Sequence, residues 1–329
     1  MKLTPGKLAG LKAVSDARNV IAAAAMDQRG SLQKSLAKER GAAADGHDLE
    51  VFKTLVTEVL TKHASAILLD PEFGLQAARH RNGKGLLLAY EKTGYDANTA
   101  GRLPDLLDVW SVRRLAEAGA DCIKILLYYT PFDKAHINEF KHAWIERIGD
   151  ECRAHDIPFF LEFVGYDADG GDEKTVEYAH KKPDIVAGAM KEFSKDRYGV
   201  DVLKVEVPIV MEFVEGTKAF KGESAYTRQE ALGLFRSVGE TTEKPFIYLS
   251  AGVSNPVFIE TLELAGESGV AFNGVLCGRA TWKDGIPIFA KEGPDAFRKW
   301  LETTGVENIQ NVNKALQAAT PWTSKVQPA

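Results

Sequence analysis

The stretch VDVLKVEVP (residues 200–208) has the length and β-branched content of a buried strand, yet it carries a lysine at its centre. Lysine is almost never fully buried without a partner. Side chains alternate along a strand. Leu203, Val205 and Val207 therefore share one face, and Val202, Lys204 and Glu206 share the other. A barrel strand has this character, with one side chain set under a helical layer and the other filling the interior.

Seven further apolar runs of strand length accompany it. They are NVIAAAAMD (19–27), SAILLDPE (65–72), GLLLAYE (85–91), DCIKILLYY (121–129), IPFFLEFVGY (157–166), PFIYLSAG (245–252) and FNGVLCGRA (272–280). Between many of them lie segments with apolar residues at helical spacing: DLEVFKTLVTEVLTKH, NEFKHAWIERIGDECRAH, DIVAGAMKEFSKDRY, TRQEALGLFRSVGETT and NPVFIETLELAGESG. Thr227 and Ser254 stand where helix starts belong, with Pro256 in a first turn. Strand–helix alternation over about 250 residues predicts a parallel (β/α)8 TIM barrel. A doubly wound sheet would be the alternative, but no G-x-G-x-x-G follows the first run. Residues 1–329 contain no low-complexity tract or Pro/Ser linker, so they read as a single α/β barrel domain. An N-terminal helix precedes the barrel, and a helical C-terminal extension follows it to about residue 320. The tail NVNKALQAATPWTSKVQPA could pack on the barrel or on a neighbouring chain. The glycine-rich GYDADGGDE (165–173) reads as a long loop on the active-site side.

Apolar residues make up 45% and charged residues 26% of the chain, as in soluble globular proteins, and the net charge is −5. That charge gives no footprint for nucleic acid and no basic run for a membrane surface. The longest apolar stretches are too short to span a bilayer, and the N-terminus lacks the apolar core of a signal peptide. Cys122, Cys152 and Cys277 are scattered and read as buried small hydrophobes in a reducing compartment, so the expected location is cytoplasmic. The seven histidines fall mostly in helices or loops, with no H-x-x-x-H at a strand end, so no metal is expected.

Alternation applied to the other runs gathers charge in the interior. In 121–129 it turns Ile123, Ile125 and Leu127 outward and Lys124 inward. In 157–166 it turns Phe159, Leu161 and Phe163 outward, leaving Phe160, Glu162 and Val164 inside. Asp27 closes the first run at its carboxyl end, the end where barrel enzymes do their chemistry. The bland reading is a static ion-pair network, with Lys204 and Lys124 matched to Glu162, Glu206 and Asp27. Buried pairs are costly and aliphatic layers would serve a structural barrel better, which favours a functional site. A lysine so placed suggests Schiff-base catalysis, in which a neutral amine attacks a carbonyl. A second ammonium nearby favours the neutral amine and carboxylates oppose it, so the sequence leaves the net sign open. Lysine nitrogens close together would favour catalysis; direct lysine–glutamate pairs would favour the network.

LSAGVSN (249–255) and LCGRATW (276–282) each place glycine at the end of a strand run. Glycine lets backbone N–H groups approach a ligand, and arginine offers a planar fork for phosphate. In such barrels the loops after strands seven and eight often hold phosphate. Ser250, Gly252, Gly278 and Arg279 therefore read as a phosphate clamp.

The set MDQRGSL, SAILLDPEFG, FFLEFVGYD, DVLKVEVP, IYLSAGV and GVLCGRATW resembles the class I tagatose-1,6-bisphosphate aldolases, in order from about residue 5 to 320. The resemblance implies a metal-free (β/α)8 aldehyde-lyase without a cofactor, cleaving tagatose 1,6-bisphosphate to dihydroxyacetone phosphate and glyceraldehyde 3-phosphate. It implies that Lys204 forms the Schiff base, that Glu162 is the general acid/base, and that Asp27 and Lys124 assist at the substrate hydroxyls and tune the amine. It also implies that Gln28 contacts substrate and that the clamp holds a phosphate. Fructose 1,6-bisphosphate differs only at C4, and no residue here rejects that epimer. Related class I aldolases that act on sulfonated ketose phosphates, of the sulfofructose 1-phosphate type, share the KVE-P, S-GV and GRA-W elements. A sugar-phosphate sensor on the same scaffold is a further alternative, although binding alone needs no nucleophile. The partner is thus a small phosphorylated ketose, and a homo-oligomeric state is left open.

Overall fold

Every one of the apolar runs forms a strand: β1 (Ile21–Ala25), β2 (Ala66–Leu69), β3 (Gly85–Ala89), β4 (Cys122–Tyr128), β5 (Phe159–Val164), β6 (Val202–Val205), β7 (Phe246–Leu249) and β8 (Gly274–Cys277). The computed structural model describes residues 2–92 and 99–328. Neighbouring strands pair in parallel in chain order, and β8 pairs back onto β1 to close the barrel. Most strands are shorter than the runs that predicted them, because residues such as Asp27, Glu91, Glu206 and Ser250 leave the ladder for the loops.

The alternation holds. Ile123, Ile125, Leu127, Phe159, Leu161, Phe163, Leu203 and Val205 join the layer between strands and helices. A separate interior cluster contains Ile21, Ala23, Ala25, Leu68, Leu87, Phe160, Val202, Ile247 and Leu276. Bulky Phe160 opposite the small side chains of β1 fills the lower interior, a large–small complementarity typical of narrow barrels. Register then stacks the charges. Lys124 aligns with Phe160, which aligns with Val202, and one step higher Glu162 aligns with Lys204.

The helices include α1 (Pro5–Ala13), α2 (Gly30–Arg40), α3 (Gly46–Leu60), α4 (Ala135–Ala154), α5 (Val176–Phe193), α6 (Arg228–Gly239) and α7 (Asn255–Ser268). Thr227 caps α6 in a reciprocal box with Glu230, whereas Ser254 caps α7 without a side-chain bond. Helix α5 starts earlier than the apolar spacing predicts and runs through Pro183. Proline offers no N–H to the carbonyl four residues back; that carbonyl, Ala179 O, accepts the Tyr226 hydroxyl instead. Among the described residues no helix is long and apolar enough to cross a membrane. All three cysteines are unpaired and buried.

The tail packs on its own barrel. Trp322 is fully buried with Leu3, Leu11 and Val14 beneath the interior cluster, and its Nε1 donates to Ser15 Oγ at 2.8 Å. Lys2–Leu3 and Gln327–Pro328 form a short parallel pair that ties the two ends of the chain together. Trp322→Ala would open a cavity under the barrel, and an aromatic lost from a core costs about 3–5 kcal/mol. Urea unfolding should show that loss in the midpoint.

Candidate active site

A cavity of about 510 Å³ opens at the carboxyl ends of the strands, and Asp27, Gln28, Lys124, Glu162, Lys204, Ser250, Gly252, Gly278 and Arg279 all line it. The structure thus brings together every residue the sequence singled out. A crevice of about 600 Å³ at the opposite end, lined by Arg18, Lys62 and Lys84 among others, includes none of them.

At the cavity floor Lys204 Nζ donates to Glu162 Oε2 at 2.8 Å. Lys124 Nζ lies 2.9 Å from that same oxygen. It also donates to Asp27 Oδ2 at 2.7 Å and to Glu91 Oε1 at 2.8 Å. The lysine nitrogens are therefore close together and paired with glutamate at once; the two criteria posed by the sequence are not alternatives here. Among the described residues Lys204 has no hydrogen-bond partner other than Glu162.

The electrostatics follow from this packing. Burial alone would raise the Asp27 carboxyl, but Lys124 and Lys204 outweigh it and hold the group well below its ordinary range. Glu162 is likewise lowered, because the same two ammonium groups overcome its desolvation. Burial would lower Lys124, yet Asp27, Glu162 and Glu91 together hold it well above the usual lysine value. Lys124 thus stays protonated at neutral pH and organises the carboxylates.

Glu91 is the residue that sequence reasoning missed. Leu87 and Ala89 face the interior, so alternation along the same run places residue 91 inward too. Like Asp27, it is also a carboxylate that closes its run at the carboxyl end. Glu206 corrects the opposite way: it lines the cavity but pairs with neither interior lysine. Beyond the end of β6 its carboxylate turns aside to accept Gly165 N at 2.7 Å and meets Lys182 of α5 at 3.3 Å. The loop at 165–173 does not line the cavity; Gly165 braces Glu206, and Glu173 pairs with Arg102 at 2.7 Å.

One wall is cationic. Among the described residues Arg279 has no carboxylate partner, and it faces the same cavity as Ser250 and Gly252. Gly252 has φ 78°, and a Cβ there would lie 2.7 Å from the Arg279 guanidinium carbon. A side chain there would be strained by that φ and would press on the Arg279 guanidinium, which favours glycine. Ala251, beside it, holds a left-handed φ of 47°, a conformation that costs a non-glycine residue energy. Trp282 Nε1 donates to Ala25 O at 2.9 Å and fastens the Gly278–Arg279 segment against β1. Among the described residues the buried Oε1 of Gln28 has no partner, so its amide has bonding capacity left for a ligand. Among the described residues no group of three or more His, Cys, Asp or Glu could hold a metal ion. Three carboxylates, those of Asp27, Glu91 and Glu162, surround the Lys124 ammonium.

A family model described as DeoC/LacD family aldolase matches residues 21–284. The chain belongs to that family. It is 55% identical over 317 residues to tagatose 1,6-diphosphate aldolase 1 of Enterococcus faecalis, covering 96% of each chain. It is 52% identical to tagatose 1,6-diphosphate aldolase of Listeria monocytogenes, covering 99% of this chain and 96% of that one. With the enzyme of that name from Streptococcus pneumoniae the identity is 51%, over 99% and 100% of the two chains. A fructose-bisphosphate aldolase from Plasmodium falciparum shares the fold at 13% identity, with a TM-score of 0.67 over 100% of this chain and 98% of that one.

In this DeoC/LacD aldolase, Lys124→Met would leave the Asp27, Glu91 and Glu162 carboxylates without their shared cation. Breaking a buried pair from one side costs about 3–5 kcal/mol. Because Asp27 and Glu162 are held below their ordinary values, their pairing stabilises the fold above an unfolded pKa of about 4 and is lost as pH falls through the folded values. The deficit of the variant should therefore be full at about pH 7 and narrow below about pH 4 in urea titrations at the two pH values.

Proposed function

We propose that this chain is a Schiff-base aldolase that reversibly cleaves D-tagatose 1,6-bisphosphate to dihydroxyacetone phosphate and D-glyceraldehyde 3-phosphate. The observation that carries this reading is Lys204 on the floor of the cavity, bonded among the described residues to Glu162 alone and sharing the cavity with an arginine that has no carboxylate partner there. The curated relatives of that name, similar over nearly the full chain, support the substrate.

In the scheme Glu162 takes a proton from the Lys204 ammonium, and the amine attacks the C2 ketone. Glu162 returns the proton to the carbinolamine hydroxyl, which leaves as water and gives the iminium. Glu162 then accepts the C4 hydroxyl proton as the C3–C4 bond breaks. The bonding pair moves toward the iminium nitrogen, leaving an enamine and releasing the aldehyde. Protonation of the enamine at C3 and hydrolysis free dihydroxyacetone phosphate and regenerate Lys204. Asp27 is the second candidate for the C4 proton. Lys124 stays charged throughout and, with Asp27, holds the substrate hydroxyls. Ser250, Gly252, Gly278 and Arg279 bind a phosphate and Gln28 a polar group of the sugar, which turns binding energy into orientation of the ketone. No cofactor enters the scheme. The unpaired thiols support a cytoplasmic setting.

Borohydride reduction in the presence of dihydroxyacetone phosphate should leave a reduced adduct on Lys204, located by peptide mass mapping, and none on Lys204→Met. An unmodified wild-type protein that still binds the phosphate ester in a titration would sink the proposal. Glu162→Gln removes the proton carrier and should cut kcat by about 10²–10⁴-fold. The fructose epimer should also be cleaved, since no residue identified in the cavity opposes its C4 configuration; parallel kcat/KM measurements on both esters check this.

A further inference from the structure

The floor carboxylates stand on a second set of charges, most of them buried, that the scheme does not use. Lys53, on α3, is fully buried, and its Nζ makes three bonds: to Met26 O at 2.7 Å, to Gln28 O at 2.7 Å and to Asp70 Oδ2 at 2.5 Å. Asp70, just beyond β2, is equally buried, and its Oδ1 accepts the N–H groups of Glu72 and Phe73 at 3.0 and 2.8 Å. The Glu72 carboxylate meets Arg29 Nη1 at 2.6 Å, and Arg29 Nη2 donates to Glu91 O at 2.8 Å.

An ammonium and a carboxylate with no solvent contact are a costly pair, and a packed apolar pair of similar volume is often as stable or more so. What an apolar pair could not do is grip two carbonyls. Those two carbonyls belong to the residues on either side of Asp27. An ammonium bonded to both fixes the Met26–Asp27 and Gln28–Arg29 peptide planes, one on each side of the Asp27–Gln28 pair, and so limits where the Asp27 carboxylate points. It also fixes the backbone from which Gln28 reaches into the cavity. The Arg29 arm does the same for the backbone at Glu91.

We propose that Lys53, anchored by Asp70, is a positioning residue for catalysis: it clamps the Met26 and Gln28 carbonyls and thereby holds Asp27 in register with Lys124. The inference rests on the placing of Asp27 at the substrate hydroxyls. Lys53 touches no substrate, so its contribution is to turnover on a site already assembled around Lys204.

The test compares the wild type with K53M/D70N and K53Q/D70N. Both double variants remove the buried charges together, and the side-chain amide oxygen introduced by D70N can still accept from Glu72 and Phe73. Only K53Q keeps a donor for the carbonyls. Folded protein at the assay temperature is counted by circular dichroism, and competent sites by borohydride trapping of dihydroxyacetone phosphate. Expected for K53M/D70N is full trapping on Lys204, a kcat per folded site lower by roughly 10- to 100-fold, and a smaller change in KM. K53Q/D70N should fall between that variant and the wild type. A kcat per folded site within about twofold of wild type in both variants would make Lys53 a purely structural charge and overturn the proposal. So would a loss of turnover that does not differ between the Met and Gln variants. Failure of the wild type itself to trap would instead overturn the Lys204 scheme, and the kcat comparison would still decide the role of Lys53. If K53M/D70N does not fold, K53Q/D70N decides alone: a kcat per folded site more than about twofold below wild type with full trapping supports the proposal, and one within about twofold overturns it.

Discussion

The Lys124 ammonium is the contact on which the interior of this barrel depends. It is buried and bound within 2.9 Å of Asp27 and Glu91, which lie just beyond β1 and β3, and of Glu162 within β5. One positive charge thus makes it tolerable for three largely buried carboxylates to share the floor of the cavity. It also defines Glu162: with one oxygen held between Lys124 and Lys204, that carboxylate is fixed next to the amine it is proposed to serve. The second ammonium shares a Glu162 oxygen with the first and also binds Asp27 and Glu91.

The division of the barrel into levels makes this possible. Lower down, Phe160, Ile247 and the side chains of β1 form a dry plug, sealed from below by α1 and Trp322. Without it the buried charges would have water from both ends, and their interactions would weaken with the rising dielectric. Above the plug the loops after β7 and β8 supply a different chemistry. Their glycine-permitted backbone and Arg279, which no described carboxylate neutralises, form an anion-friendly wall beside an acidic floor. A phosphorylated sugar has that polarity, with an anionic end and neutral hydroxyls.

Outside the floor, charge is again used to set backbone. Glu206 holds the first residue of the loop after β5, and Lys53, Asp70, Glu72 and Arg29 knit together the ends of β1, β2 and β3. Reacting groups held on strand ends need such support, because loops by themselves are too mobile to keep a carboxylate oriented to within a fraction of an ångström.

Strand alternation is a local property, and so the sequence by itself determined the eight strands, the side of each that faces inward, and the meeting of Lys204, Lys124, Glu162 and Asp27. It marked the cationic wall too, through glycines and an arginine at fixed places after two strands. Glu91 was within reach of the same rule. Partner choice was not legible. Glu206 satisfies the alternation and lines the cavity, yet its carboxylate finds a backbone N–H and a lysine on α5, because hydrogen bonds depend on distances of tenths of an ångström between elements remote in sequence. Lys53 looks like an ordinary polar position within DLEVFKTLVTEVLTKH, and only the packing of α3 against the ends of β1 and β2 turns it inward to two carbonyls and a buried aspartate. Trp322 lay in a tail whose destination was open until the fold brought it under the barrel. Periodicity sets which way a side chain points; what it meets there is set by how the elements pack.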